Sequence, residues 1–245
     1  MIVSLGSVRG APGVTSWSLL LAAAWPGEFT GRRVVLEADP AGGVLGARYG
    51  WGVEPGAVRL VTGLRRNGAS SLDVPGVARD LGGGVWVVPG PESGDQARAV
   101  WSEGASATAG QLAGDDGVWL VDVGRVDDAS PSAVYVDRSV LVVLVTGPYQ
   151  EDLVQLPARV ASLRARCGPV SVLVSGRCSF TPTEIGEFCG AEVVWVVPCR
   201  DDLVDEVGRL LGGVRARRSW LWRHALDVAA DAYGLVASRV AGVVA

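Results

Sequence analysis

Short, nearly unbroken apolar runs alternate along the chain with longer segments of mixed polarity. Ile2–Leu5, Arg33–Glu37, Val85–Val88, Val118–Val121, Val140–Val145, Val170–Val174 and Val193–Val197 are rich in β-branched residues and read as strands. Their apolar residues are consecutive, not alternating, which is the pattern of strands covered on both faces in a parallel sheet. Between them Thr15–Trp25, Asp95–Leu112, Glu151–Arg166, Pro182–Cys189 and Asp201–Leu211 read as helices. Strand and helix in alternation predict right-handed crossovers and one three-layer α/β/α domain with a mostly parallel sheet. Residues 50–80, rich in Gly, Arg and Ser, give no clear period, and Arg65-Arg66-Asn67-Gly68 within them reads as a solvated turn.

Composition narrows the chemistry. With 245 residues, 49% of them hydrophobic, the chain can bury a sizeable core. A net charge of −4 and a pI near 5.1 argue against a globally basic nucleic-acid binder while leaving room for a local patch. No apolar run reaches the roughly 18 residues of a membrane span. Met1-Ile2-Val3-Ser4-Leu5 has neither a basic flank nor a cleavage site and reads as a strand. A cytoplasmic chain is expected.

His224 is the one histidine, which excludes a His-rich metal site. There is no lysine, so all 22 basic residues are arginines. Schiff-base chemistry and the usual lysine grip on phosphate are therefore beyond this chain. Cys167, Cys178, Cys189 and Cys199 include no C-x-x-C pair and read as small buried hydrophobes.

Gly6-Ser7-Val8-Arg9-Gly10-Ala11-Pro12-Gly13-Val14-Thr15-Ser16 joins the first strand to an apolar helix. A glycine-rich turn opening a helix offers backbone N–H groups and a positive dipole end to an anion. Thr15 stands where a P-loop hydroxyl would hold Mg²⁺, or where an ordinary βα turn would place a helix cap. The second strand ends in Glu37-Ala38-Asp39-Pro40-Ala41-Gly42-Gly43, and Val118–Val121 runs into Asp122. Carboxylates at the C-terminal ends of parallel strands face the crevice where α/β proteins bind ligands. There one acid can hold Mg²⁺ through water and another can orient an attacking water.

Together these three segments resemble the deviant-Walker ParA/MinD-like P-loop ATPases over nearly the whole chain. The likeness is greatest to the MinD-like proteins of high-GC Gram-positive bacteria, which are related to the pilus-assembly ATPases CpaE and TadZ. The family's Lys-Gly-Gly-x-Gly-Lys-Thr matches Arg9-Gly10-Ala11-Pro12-Gly13-Val14-Thr15, and its Asp-x-Asp-Pro-x-Gly matches Glu37–Gly42. Its second Mg²⁺-proximal acid matches Asp122, and Phe180–Gly186 with Val193–Pro198 and Asp201-Asp202 is similar to its later half.

The resemblance implies a P-loop domain over 1–214, followed by an Arg/Trp-rich helical segment, 215–245, packed on it or extending from it. It implies ATP and Mg²⁺ as cofactors, with Arg9 to Ser16 around the phosphates. Thr15 and Asp122 would be near Mg²⁺, and Asp39 near the γ-phosphate as the catalytic acid. It further implies a nucleotide-linked homodimer that positions or scaffolds a chromosome, septum, secretion or pilus apparatus.

Two departures qualify that. Arg9 replaces the lysine that reaches across the family's dimer, and its planar fork still suits phosphate. Val14 replaces the lysine that grips the β- and γ-phosphates, and loss of such a cation costs roughly 100-fold or more in rate. Hydrolysis is expected to be slow or absent. The alternatives are a pseudo-ATPase that works through protein contacts alone and a slow ATPase using Arg9.

Arg215, Arg217, Arg218, Trp220, Trp222 and Arg223 concentrate cations and indoles ahead of an apolar helix. Such a segment suits a protein partner, an anionic membrane surface or DNA phosphate, or it simply closes the domain with its tryptophans packed inside.

Overall fold

All seven apolar runs form strands, and an eighth strand joins them. The structure, a computed structural model, describes residues 1–10, 12–52, 54–67, 72–198, 207 and 219–244. Among the described residues the elements run β1 (Ile2–Ser7), α1 (Val14–Ala24), β2 (Arg33–Glu37), α2 (Leu45–Tyr49), α3 (Ala57–Asn67), α4 (Val74–Val77), β3 (Arg79–Gly82) and β4 (Val85–Val88). They continue with α5 (Gly94–Ala113), β5 (Val118–Arg125), α6 (Ala133–Asp137), β6 (Leu141–Thr146), α7 (Gln150–Leu153), α8 (Leu156–Arg164), β7 (Val170–Ser175), α9 (Pro182–Cys189), β8 (Val194–Val197) and α10 (Trp220–Val244). The sheet order is β3-β4-β2-β5-β1-β6-β7-β8, and β3 is antiparallel to β4.

Contacts divide the chain into two compact units, and β1 contributes to both. The first comprises Met1–Ser4 and Thr30–Ser139. Here β2 lies parallel to both β4 and β5, with Leu36 opposite Val88 and Val121, and Glu37 opposite Asp122. Strands β2 and β4 thus end near one level, and β5 continues three residues beyond it to Arg125. Helix α5 buries Ala97, Trp101, Ala105, Ala109 and Leu112, a stripe at helical spacing, and α3 packs against it.

Residues 50–80 are more ordered than their composition suggests. Ala57, Leu60 and Val61 give α3 a buried face, and Arg65 and Arg66 lie in its last turn, where cations favour the helix dipole. The expected turn there is helix as far as Asn67, and Gly68 lies outside the described residues.

The second unit comprises Leu5–Phe29 and Val140–Ala245. Its strands β6, β7 and β8 are parallel, and β6 is buried throughout. Helix α1 is apolar on nearly every side because neighbours cover it: Trp17, Leu19, Leu20, Leu21 and Ala22 are fully buried, and α10 packs along it. Tyr233 of α10 meets the rings of Trp25 and Phe29 edge-on, with centroids 6.0 and 6.4 Å away. Leu221, Ala225, Val228, Ala229, Ala232 and Val236 form the buried stripe of α10, and Trp195 Nε1 donates to Asp231 at 2.9 Å.

Three details differ from the sequence expectations. The helix expected over Glu151–Arg166 is two helices, because Pro157 in the first turn of α8 has no N–H and its ring would crowd the preceding turn. Cys189 is buried as expected, but Cys167 and Cys178 are half-buried, and all three are free thiols. Cys199 and nearly all of the helix expected over Asp201–Leu211 lie outside the described residues.

Candidate functional site

In the second unit, β1 ends at Ser7 and the chain turns through exposed Arg9 and Gly10 toward Pro12 and Gly13, both half-buried. Ala11 lies outside the described residues. Gly13 is the N-cap of α1 at φ 92° and ψ 31°, a left-handed conformation that a side chain would strain. Having no side chain, it also offers no acceptor to the N–H groups of the first turn. Ser7 Oγ donates to the Gly10 carbonyl at 3.3 Å, bracing the turn from within. Thr15 is half-buried and Ser16 is buried. Val14 is only 7% exposed and belongs to the core. The loop thus opens α1 on a glycine and packs the first helical side chain inward among apolar neighbours.

In the first unit, the two carboxylates closing β2 have opposite fates. Glu37 is 1% exposed, and its oxygens accept N–H groups from Val44 at 2.6 Å, Leu45 at 3.1 Å and Gly90 at 2.9 Å. It binds the start of α2 and the turn after β4 to the end of β2. Burial pushes its carboxyl above the usual range, against the pull of those N–H groups and of Arg48. Gly43 and Gly90 pack so closely that a Cβ on either would strike Glu37 or its surroundings. Its acceptor capacity is largely used, so Glu37 is a structural residue.

Asp39 instead is half-buried and borders a cleft. Its Oδ1 accepts the Ala41 N–H at 2.8 Å, and burial raises its carboxyl above the usual range. The carboxylate lies directly over Gly124, where any Cβ would collide with it, and Gly124 has φ +64°. Asp122 is 1% exposed, with Oδ1 accepting the Gly124 N–H at 2.9 Å, and its carbonyl accepts the Ala38 N–H at 2.8 Å. Ser132 Oγ donates to the Ala38 carbonyl at 2.5 Å, fastening the loop after β5 to the loop after β2. Asp39 therefore lies just past the end of β2, whereas Asp122 lies within β5, three residues before its end, and not at the strand end that the sequence suggested.

The cleft beside Asp39 holds about 310 Å³ and is also lined by Arg98, Arg125, Asp127 and Ser130. The sequence reading singled out none of these four. Arg98 pairs with Asp95. Arg125, exposed and three residues beyond Asp122, was legible only through the continuation of β5 past that acid. Among the described residues no cluster of three or more His, Cys, Asp and Glu could by itself hold a metal. Within the first unit, Asp39 and Asp122 are hard oxygen donors of the kind Mg²⁺ takes one or two of, with phosphate and water completing its shell.

The C-terminal candidates separate. Trp222 is 8% exposed and buried in the root of α10. Trp220 is half-buried with its ring edge-on to His224, 5.6 Å between centroids, and Arg223 is exposed. Arg215, Arg217 and Arg218 lie outside the described residues. No helix among the described residues is long and apolar enough to cross a membrane.

No protein-family profile and no curated protein matches the sequence. Solved structures do match it. The septum site-determining protein MinD of Pyrococcus horikoshii OT3, complexed with Mg-ADP, is 18% identical at a TM-score of 0.69 over 97% of this chain and 98% of that one. A Cyanothece McdA variant in complex with ATP is 11% identical at 0.67, over 95% and 96%. A ParA family ATPase of Chlorobium tepidum TLS is 13% identical at 0.65, over 93% and 98%. Likenesses at this identity speak for architecture, and the architecture is plain: this chain has the fold of the ParA and MinD ATPases.

Proposed function

We propose that the chain is a ParA/MinD-like nucleotide-binding protein that positions or scaffolds a cellular structure and hydrolyses ATP weakly or not at all. The observation that carries this is the divided state of the loop before α1. Gly13 supplies no side-chain cap to the first turn of α1, while Val14 is buried. Backbone donors suffice to bind phosphate, whereas transition-state charge calls for a cation. In this reading Gly10, Ala11, Gly13, Val14 and Ser16 offer backbone N–H groups to phosphate, Pro12, which has none, shapes the turn, and Arg9 adds a cation. Thr15 and Asp122 lie near Mg²⁺, and Asp39 lies near the γ-phosphate. Mg²⁺ would supply charge neutralisation at the phosphates, and the half-buried, raised Asp39 carboxyl would accept a proton or orient water.

Support comes from the structures of the same fold, where MinD is complexed with Mg-ADP and McdA with ATP. A MinD from Aquifex aeolicus is found in complex with MinC. By extension, this chain is a nucleotide-linked homodimer that recruits a protein partner, and Trp220 and Arg223 contribute to the surface that meets that partner, a membrane or DNA. The burial of Val14 favours one other reading, a pseudo-ATPase that acts through protein contacts without nucleotide.

Calorimetric titration with ATP, with and without Mg²⁺, followed by light scattering, separates the two. Mg²⁺-dependent binding that produces a dimer supports the nucleotide switch. Absence of binding at millimolar ATP leaves the pseudo-ATPase. Val14→Lys should raise turnover by about tenfold or more if the remaining machinery is intact, since it restores the missing charge.

A further inference from the structure

The short helix α7 and the helix α9 frame a groove of about 470 Å³ in the second unit. Leu153 and Val154 line it from one side, and Phe180, Ile185 and Phe188 from the other. Among the described residues Glu184 is its one charged lining residue. Val154, Phe180 and Phe188 are 59%, 42% and 55% exposed, and Tyr149, the N-cap of α7, is 66% exposed. Among the described residues only two other large apolar side chains, Val44 and Leu226, are comparably exposed, each on a different element. Apolar exposure concentrated in one concave place marks a surface that something covers.

The surroundings say what kind of surface would cover it. Glu184 is fixed by the capping box of α9: the Thr181 N–H and hydroxyl donate to its carboxylate, which these bonds hold below the usual range. Glu151, next in sequence to the lining Gln150, and Glu187, next to the lining Phe188, are exposed. Anionic edges around an apolar floor complement a segment with apolar anchors flanked by cations. A cleft of this size takes about two or three aliphatic side chains, the number one helix face presents at i, i+4 and i+7 spacing.

We propose that the groove between α7 and α9 docks an amphipathic helix of a protein partner, with aliphatic or aromatic anchors on one face and Arg or Lys beside them. The groove is lined by residues of α7, α9 and their flanks, so the inference does not rest on the nucleotide reading. The contact is small, so affinity is on the order of micromolar, suited to a reversible partner.

The test is fluorescence anisotropy of the full chain with a labelled leucine-and-lysine amphipathic peptide of about 14 residues, the marginal length for an isolated helix. A leucine-and-glutamate peptide of the same pattern is the control. The lysine peptide should bind at least about tenfold more tightly than the control, a difference that follows from charge complementarity. Phe188→Ala and Glu184→Gln should each weaken it several-fold. Because glutamine also closes a capping box, Glu184→Gln removes the charge while the helix stays capped, and circular dichroism should be unchanged.

Three outcomes overturn the proposal. One is no binding, or equal binding of the two peptides. Another is lysine-peptide binding that neither variant alters, which traces it to the overall negative charge. The third is a wild-type dimer that Phe188→Ala dissociates in light scattering, which makes a second copy the occupant.

Discussion

Glu37 accepts three backbone N–H groups from two separate turns, so truncating it strands donors that no water reaches easily. Glu37→Ala should cost about 3 kcal/mol, read as a lower urea midpoint with an unchanged slope. Gly124 is held at positive φ beneath the Asp39 carboxylate. Gly124→Ala should cost about 1–3 kcal/mol from left-handed strain and the collision together, and it should displace Asp39 from its cleft. If Asp39 serves nucleotide, that variant will also bind Mg-ATP more weakly than Mg-ADP relative to wild type, which paired titrations would show. At this scale the sequence points to Asp39 and Asp122 because each is the first acid to follow or interrupt an apolar run, although β5 in fact continues past Asp122. It does not separate Glu37 from Asp39, since which carboxylate is consumed by backbone donors depends on turns far along the chain. Arg125 escapes for a similar reason: nothing local reveals that β5 continues past its acid.

Between elements, the link most open to measurement is α1 to α10. Tyr233 is the ring shared by Trp25 and Phe29. Tyr233→Leu keeps an apolar side chain but loses both edge-on contacts, and should lower stability by about 1–2 kcal/mol. A circular-dichroism melt would register this as a drop of several degrees, whereas no change would mean that α10 is held by its aliphatic stripe alone. The strands were legible because continuous Val-rich runs report burial on both faces. Strand β3 was not, since Arg79-Asp80-Leu81-Gly82 has neither apolar continuity nor a strong β pattern and is a strand only by pairing with β4. Helix α3 was obscured by the glycines and arginines that punctuate its apolar face. The loop before α1 was recognisable from composition, but the inward packing of Val14 follows from the fold around it.

For the molecule as a whole, the sheet order could not be read from the order of elements, because β1 sits between β5 and β6 and the strands on either side join it out of sequence. Acid–base behaviour also belongs to this scale. Burial raises Glu37 and Asp39 above their ordinary 4.5 and 3.8, so the folded chain keeps protons that the unfolded chain has already released. The stability these groups contribute is therefore greatest in acid and falls as pH rises from those ordinary values through the raised ones. Urea unfolding across about pH 4 to 7 should show this decline, and Asp39→Asn should flatten it while leaving the variant at least as stable at neutral pH. A steeper decline in the variant would show that the Asp39 charge is favourably compensated.

The outer strand β3 is only four residues long, shifts register between Asp80 and Gly82, and carries Arg79 and Asp80 on its rim. A border so brief, kinked and charged is a poor template for the backbone of another molecule. Concentrated solutions should not seed fibrils from that side. If copies of the chain associate, the seam will be built from side chains and not from a sheet continued past β3.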